Sequence, residues 1–258
     1  MNIQLSKRMK QIADMITPGR VTADIGCDHG LVSIYLLKNN IAPRVIAMDI
    51  AEGPLESAKN NIRQLLPAEL NNRIELRLSN GFEAVSPGET EAAVIAGMGG
   101  QLIISIIKAG LHNSAIAPGY ELILSPQSDV PMVRRFLREN DFSISDEEML
   151  SEDGKYYNII KTVFLGNNRE AAGTSDDANN TETEGMQSSG ETEVYDRYGQ
   201  ILLYKKSPVL REYLEKELEK KEKLFCSLSK KTTEGSIKRL TSLRTEIELA
   251  ASALNFFS

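Results

Sequence analysis

The chain has 258 residues, 41% of them hydrophobic and 26% charged, with two cysteines and a net charge of −6. That balance fits a globular protein with a sizeable core. It excludes a disulfide scaffold or zinc ribbon, because Cys27 and Cys226 stand far apart in unrelated surroundings. No apolar run reaches the roughly 18 residues of a membrane span, and residues 1–10 lack the apolar core of a secretory signal, so a cytoplasmic protein with no membrane partner is expected. The charge is unevenly placed. Residues 166–193 hold seven acids against one base, which accounts for the whole net charge, whereas residues 194–258 hold 13 Lys and Arg against 9 Asp and Glu. A basic C-terminal surplus leaves room for a nucleic-acid partner.

Short β-rich runs alternate with helical patterns through residue 165, the signature of an α/β protein with a mainly parallel sheet. Strands are predicted at 21–26, 44–50, 74–79, 92–96 and 121–125, and helices at 31–39, 54–66, 101–109 and 130–139. Residues 142–150, a polar turn at 151–154 and residues 156–165 read as a hairpin that adds an antiparallel last strand. From Asn167 to Glu193 the chain is Asn, Ser, Thr, Gly and acid, too polar to offset the entropy of ordering, so a disordered tether is expected. Beyond it Pro208 opens a helix bearing Leu210, Leu214 and Leu218, and Ile237, Leu240 and Leu243 mark another, with Gly235 near the break. This reads as a coiled-coil-like helical hairpin with lysine-rich exposed faces, serving as an RNA-binding arm or as a packing or dimerising one. The expected divisions are an α/β domain at 1–165, an acidic linker at 166–193 and a helical domain at 194–258.

The stretch ADIGCDHG, residues 23–30, is where the first strand gives way to a helix. Asp24, Gly26, Asp28 and Gly30 recur at two-residue intervals. Gly26 permits a tight turn and close approach of a ligand, and Gly30 is expected to let the helix pack against the strand. The helix start beyond offers free N–H groups. A dinucleotide enzyme needs G-x-G-x-x-G for its pyrophosphate, and that pattern is absent. Asp28 would repel a pyrophosphate but suits a zwitterionic sulfonium ligand, and Asp24 suits its amino group. S-adenosylmethionine is therefore expected rather than NAD.

Later strand ends extend the pattern. Asp49, followed by Ile50, falls about twenty residues beyond the turn, the offset of a ribose-binding acid. Asn80 and Gly81 end the third strand, where an amide can meet the adenine edge. Ala96, Gly97 and Met98 end the fourth, beside the expected reacting centre. Cys27 and His29 complete the first turn, but adjacent ligands splay apart and there is no second Cys/His cluster, so no metal site is expected. His29 reads either as a hydrogen-bonding residue at the helix start or, beside a sulfonium, as a functional one.

In Leu5-Ser6-Lys7-Arg8, Ala23-Asp24-Ile25-Gly26 with Asp28-His29, Gly53-Pro54 before Ser57-Ala58-Lys59, Ile95-Ala96-Gly97-Met98-Gly99-Gly100, and Glu152-Asp153-Gly154-Lys155 with Tyr157, the chain resembles bacterial tRNA (adenine(22)-N(1))-methyltransferases. The resemblance spans nearly the whole chain. It implies a Rossmann-like class I methyltransferase fold with a C-terminal helical domain, S-adenosylmethionine as methyl donor and the D-arm of tRNA as substrate. It makes Asp28, His29 and Tyr157 candidates for the chemistry, Tyr157 by stacking on a flipped adenine. It places the cofactor on Asp24, Gly26, Cys27, Asp28, His29, Gly30, Asp49, Ile50, Asn80, Gly81, Ala96, Gly97 and Met98. Asn80 stands where many members carry an acid, and the acidic insert is long. Lys7, Arg8 and Lys10, with Lys205, Lys206, Arg211, Lys220, Lys221 and Lys223, are the expected phosphate contacts. A monomer is expected, with a dimer through the arm left open. The alternatives are a silent cofactor- and RNA-binding module, or a small-molecule or protein methyltransferase whose arm dimerises.

Overall fold

The structure, a computed structural model, describes residues 5–166, 189–230 and 234–258. The chain forms two compact units, Met1–Gly173 and Thr174–Ser258. In the first, the order is α1 (Lys7–Asp14), β1 (Thr22–Ile25), α2 (Leu31–Lys38), β2 (Val45–Asp49), α3 (Glu52–Leu65), a 3-10 turn (Ala68–Arg73), β3 (Ile74–Leu78), β4 (Ala92–Ala96), α4 (Gly100–His112), β5 (Glu121–Ser125), α5 (Val130–Glu139), β6 (Phe142–Glu152) and β7 (Lys155–Phe164). The predicted strands and helices are present, shifted by a few residues at their ends.

The seven strands form one sheet in the order β3-β2-β1-β4-β5-β7-β6, parallel except at β7 and β6. The order turns back on itself between β1 and β4, the switch point where open α/β sheets bind ligands at the carboxyl ends of their strands. Strands β1, β2, β4 and β5 are nearly all buried because helices cover both faces. Val94, Ile123 and Ile159 face Ile12 of α1, Ile16 just beyond that helix, and Ile34 and Leu37 of α2. On the other face Ile95, Leu122, Leu124 and Ile160 meet Ile103 and Ile107 of α4 and Val133 and Leu137 of α5. The β6–β7 turn is tighter than predicted: Asp153 and Gly154 alone make it, both with positive φ (50° and 74°), the conformation of a two-residue hairpin.

The second unit contains α6 (Ser189–Tyr198), α7 (Gln200–Tyr204), α8 (Pro208–Leu228), α9 (Glu234–Leu254) and a closing 3-10 turn (Asn255–Phe257). One expectation is corrected here. Residues 189–193, assigned to the acidic tether, form the start of α6, and residues 167–188 of that tether lie outside the described residues. Gly235 is the second residue of α9, near the break as expected. Ser207 caps α8, accepting from the Leu210 amide at 3.4 Å. Leu210 and Leu214 of α8 and Leu243, Ala250 and Ala253 of α9 are buried, which is the leucine spacing put to use. The exposed face of α8 is not a row of free cations. Lys216 pairs with Glu212, Arg211 with Glu215, Lys221 with Glu217 and Glu246, and Lys223 with Glu219. Pairs at i,i+4 stabilise a long surface helix by a few tenths of a kcal/mol each, and they reduce the positive field expected of Arg211, Lys221 and Lys223. Among the described residues, no helix is long and apolar enough to cross a membrane.

Candidate active site

The loops at the carboxyl ends of β1, β2, β3, β4 and β5 gather the predicted residues. After β1 the backbone bends through left-handed conformations at Gly26 (φ 74°), Asp28 (φ 50°) and Gly30 (φ 68°). Asp tolerates this region better than most residues, and glycine adopts it freely. A Cβ at Gly26 would collide with Cε of Met98, so the first and fourth loops meet there over the switch point. Gly30 has a different role from the one expected. A Cβ on it would lie 3.0 Å from that of Ala58, so its missing side chain admits α3 rather than the strand.

Asp24 is buried, and its Oδ2 accepts from the Ser33 hydroxyl at 2.6 Å. Burial is the main reason its carboxyl is pushed up to about 6, with the negative charge of Asp49 adding to the effect. Asp49 is half-buried and joins two loops: Oδ2 accepts from the Asp28 amide at 3.3 Å and Oδ1 from the Ala51 amide at 3.1 Å. Each oxygen keeps a further acceptor site for a hydroxyl. Beside it Ile50 is 71% exposed. Asp28 and His29 are exposed, with His29 Nε2 3.6 Å from Asp28 Oδ1. The His29 carbonyl accepts from Asn61 at 2.9 Å, which ties the turn to α3.

Other predicted residues also make contacts within the fold. The Cys27 side chain lies with Ala47 and Ala58, away from solvent, and its thiol pKa is driven up by burial and by the acids around it. Its backbone is also engaged, the amide donating to Met48 O and the carbonyl accepting from Gly30 N. Gly81 packs on Ile106 of α4. Asn80 is exposed and donates to Glu83 at 2.9 Å. Ala96 is half-buried, and Gly97 is exposed (φ 78°) with its nearest neighbour beyond a notional Cβ being Gln127 Nε2 at 3.9 Å. The fourth loop is laced to the fifth by Gly97 N to Ser125 O, Gln127 N to Met98 O and Gly100 N to Ser128 O.

Tyr157 lies on β7. Leu124 pairs with Ile160, so Tyr157 stands beyond the carboxyl end of β5, on the same edge of the sheet as the loops above. One face of its ring is covered by the guanidinium of Arg8, 4.8 Å from the centroid. Two separately quoted stretches thus meet: Glu152 accepts from the Lys7 amide at 2.6 Å while Arg8 covers Tyr157.

Sequence reasoning missed Ser33 and Gln127. Ser33 had a signal, being the polar residue inside the apolar run LVSIYLL nine positions after Asp24. Gln127 had only its place just past a strand end. Among the described residues no group of three or more His, Cys, Asp or Glu is arranged to hold a metal ion.

Three carboxylates, an exposed isoleucine and a glycine turn without a pyrophosphate cradle fit S-adenosylmethionine. Comparison with known proteins agrees. A family model described as a methyltransferase domain matches residues 5–160. The tRNA (adenine(22)-N(1))-methyltransferase of Bacillus subtilis (strain 168) is 38% identical over 170 residues, 66% of this chain and 68% of that protein. The crystal structure of the B. subtilis M1A22 tRNA methyltransferase TrmK matches over 98% of this chain and 100% of that one, with a TM-score of 0.77 and 29% identity. Streptococcus pneumoniae Sp1610, solved in complex with S-adenosyl-L-methionine, matches over 97% of this chain and 100% of that one, at a TM-score of 0.75 and 27% identity. A sheet, a switch-point site and a sequence that agree over this length lead to one conclusion: the chain is a Rossmann-like methyltransferase and belongs to the tRNA (adenine(22)-N(1))-methyltransferase family.

Proposed function

We propose that the protein transfers a methyl group from S-adenosylmethionine to N1 of adenine 22 in the D-arm of tRNA, and does so in the cytoplasm. The observation that carries this reading is the likeness to TrmK across 98% of the chain, helical unit included. S-adenosylmethionine, when bound, supplies a methyl group on a positively charged sulfur. Adenine N1 already has a lone pair, so the protein need not generate a nucleophile. Its work is alignment and the exclusion of water.

Asp49 would hold the cofactor ribose and Ile50 would contact its adenine; Asp24, Asp28 and the Gly26 turn would hold the amino-acid end. Met98 and Gly97 form the wall between the cofactor and the incoming base. As the N1–methyl bond forms, the sulfur–methyl bond breaks, the sulfonium leaves as a neutral thioether and the adenine takes the positive charge, which the exposed Asp28 carboxylate, 3.6 Å from His29 Nε2, would offset. No proton has to leave N1, so no strong base is required. The fourth strand ends in Ala96-Gly97-Met98-Gly99-Gly100 rather than Asn-Pro-Pro-Tyr, which is consistent with ring-nitrogen rather than exocyclic-amine chemistry. Because a paired N1 is unreachable, the nucleotide must leave its stack.

The test is incubation of the purified protein with S-adenosylmethionine and unmodified bacterial tRNA, followed by nucleoside mass spectrometry. 1-Methyladenosine at position 22 is expected; N6-methyladenosine, or methyl transfer to metabolites but not tRNA, would overturn the reading.

A further inference from the structure

We propose that Arg8 is a phosphate-binding residue for the acceptor nucleotide, its guanidinium held against Tyr157 so that it can take a backbone phosphate beside the base entering the site. The proposal rests on the tRNA methyltransferase reading above and assigns it a contact. Arg8 Nη1 is buried and has no hydrogen-bond partner; the other such side-chain atom among the described residues is Ser125 Oγ, at the carboxyl end of β5. Leaving a charged donor buried and unsatisfied is costly, so its persistence argues for an acceptor that arrives with a ligand.

The residue is held in place from several sides. Ser6 Oγ accepts from the Met9 amide at 3.2 Å and Glu152 Oε1 from the Lys7 amide at 2.6 Å, which fixes the start of α1. Tyr157 holds the guanidinium at 4.8 Å. Glu152 and Tyr157 flank the same β6–β7 turn, so one hairpin positions both the helix end and the side chain. Lys10, by contrast, is spent on Asp14 one turn along.

The chemistry selects phosphate. A planar fork of N–H donors matches an oxyanion. A guanidinium against the reacting ring would oppose the positive charge that develops on adenine. The cofactor's own carboxylate is a poorer candidate on position. The turn assigned to the cofactor's amino-acid end follows β1 and Tyr157 belongs to β7, and the order β1-β4-β5-β7 separates them by three inter-strand spacings, about 14 Å. Arg8 therefore stands on the acceptor side of the switch point.

The experiment uses the full chain. tRNA binding is measured by fluorescence anisotropy over a salt series, methyl transfer by steady-state kinetics and S-adenosylmethionine affinity by calorimetry, for wild type, Arg8→Gln and Arg8→Lys. For Arg8→Gln the KM for tRNA should rise about tenfold or more. Its log–log salt slope should shrink by about one, while cofactor affinity stays within about twofold. Arg8→Lys should restore the slope and only part of the KM. An unchanged slope in Arg8→Gln overturns the proposal, because a merely structural role or a base contact leaves the slope alone. A loss of cofactor affinity larger than the loss of tRNA affinity also overturns it, by giving the charge to the cofactor's carboxylate. Binding needs no turnover: a wild type that binds tRNA but forms no 1-methyladenosine sinks the assigned reaction and leaves the slopes to judge Arg8.

Discussion

The amide of Asp28 donates to the carboxylate of Asp49 at 3.3 Å, joining the turn after the first strand to the end of the second. The residue proposed to hold the ribose is thus also the brace of the turn proposed to hold the cofactor's other end. Asp49→Asn keeps the size but halves the acceptor capacity. It should weaken S-adenosylmethionine by about tenfold or more and, because one of the two backbone N–H groups loses its acceptor, cost about 1 kcal/mol of stability. Calorimetric titration checks this, and an affinity equal to wild type would remove Asp49 from the site.

Asp24 links stability to pH. Its carboxyl is raised from 3.8 to about 6 in the folded protein, so the folded state holds a proton that the unfolded chain releases. Its stabilising contribution is complete below about 4 and is lost as pH rises through about 6. Relative to Asp24→Asn, whose amide can still accept from Ser33, wild type should lose on the order of 3 kcal/mol across that window. Parallel melts of the two proteins between pH 4 and pH 7 measure it; curves that stay parallel would mean Asp24 is not buried as described.

Gly26→Ala places a methyl group against Met98 Cε at a φ of 74°. The backbone strain costs roughly 1–2 kcal/mol, and Met98, a flexible side chain beside the turn, must move aside. Cofactor affinity should therefore fall more than stability. Adding Met98→Ala should recover part of the affinity but not the strain, a difference resolved by comparing calorimetry with thermal melts.

Arg134 and Glu147 form an ion pair at 2.7 Å in which both side chains are almost fully buried, 3% and 1% exposed. Arg134→Met leaves the Glu147 charge buried and should cost about 3–5 kcal/mol. Replacing both residues with apolar ones should recover much of that loss. Chemical denaturation of the single and double variants provides the measure.

The alternation of strand and helix patterns, the D-x-G-x-D-x-G turn and the acid ending the second strand were legible because they are local. A strand's period, a turn's need for positive φ and a carboxylate's fixed offset depend on residues close along the chain. The same locality exposed the leucine spacing of α8 and α9. What lay beyond it was decided by packing. Gly30 serves Ala58 of another helix, Cys27 turns its thiol into the Ala47 and Ala58 cluster, and the lysines of α8 find glutamates one turn away. Only the sheet order brings Arg8 of the first helix onto Tyr157 of the last strand, because that contact depends on which strands become neighbours and on the reversal at β7. Sequence alone determined the elements and the cofactor-type turn; the tertiary structure decided which side chains stay free for a ligand, since that depends on partners distant in the chain.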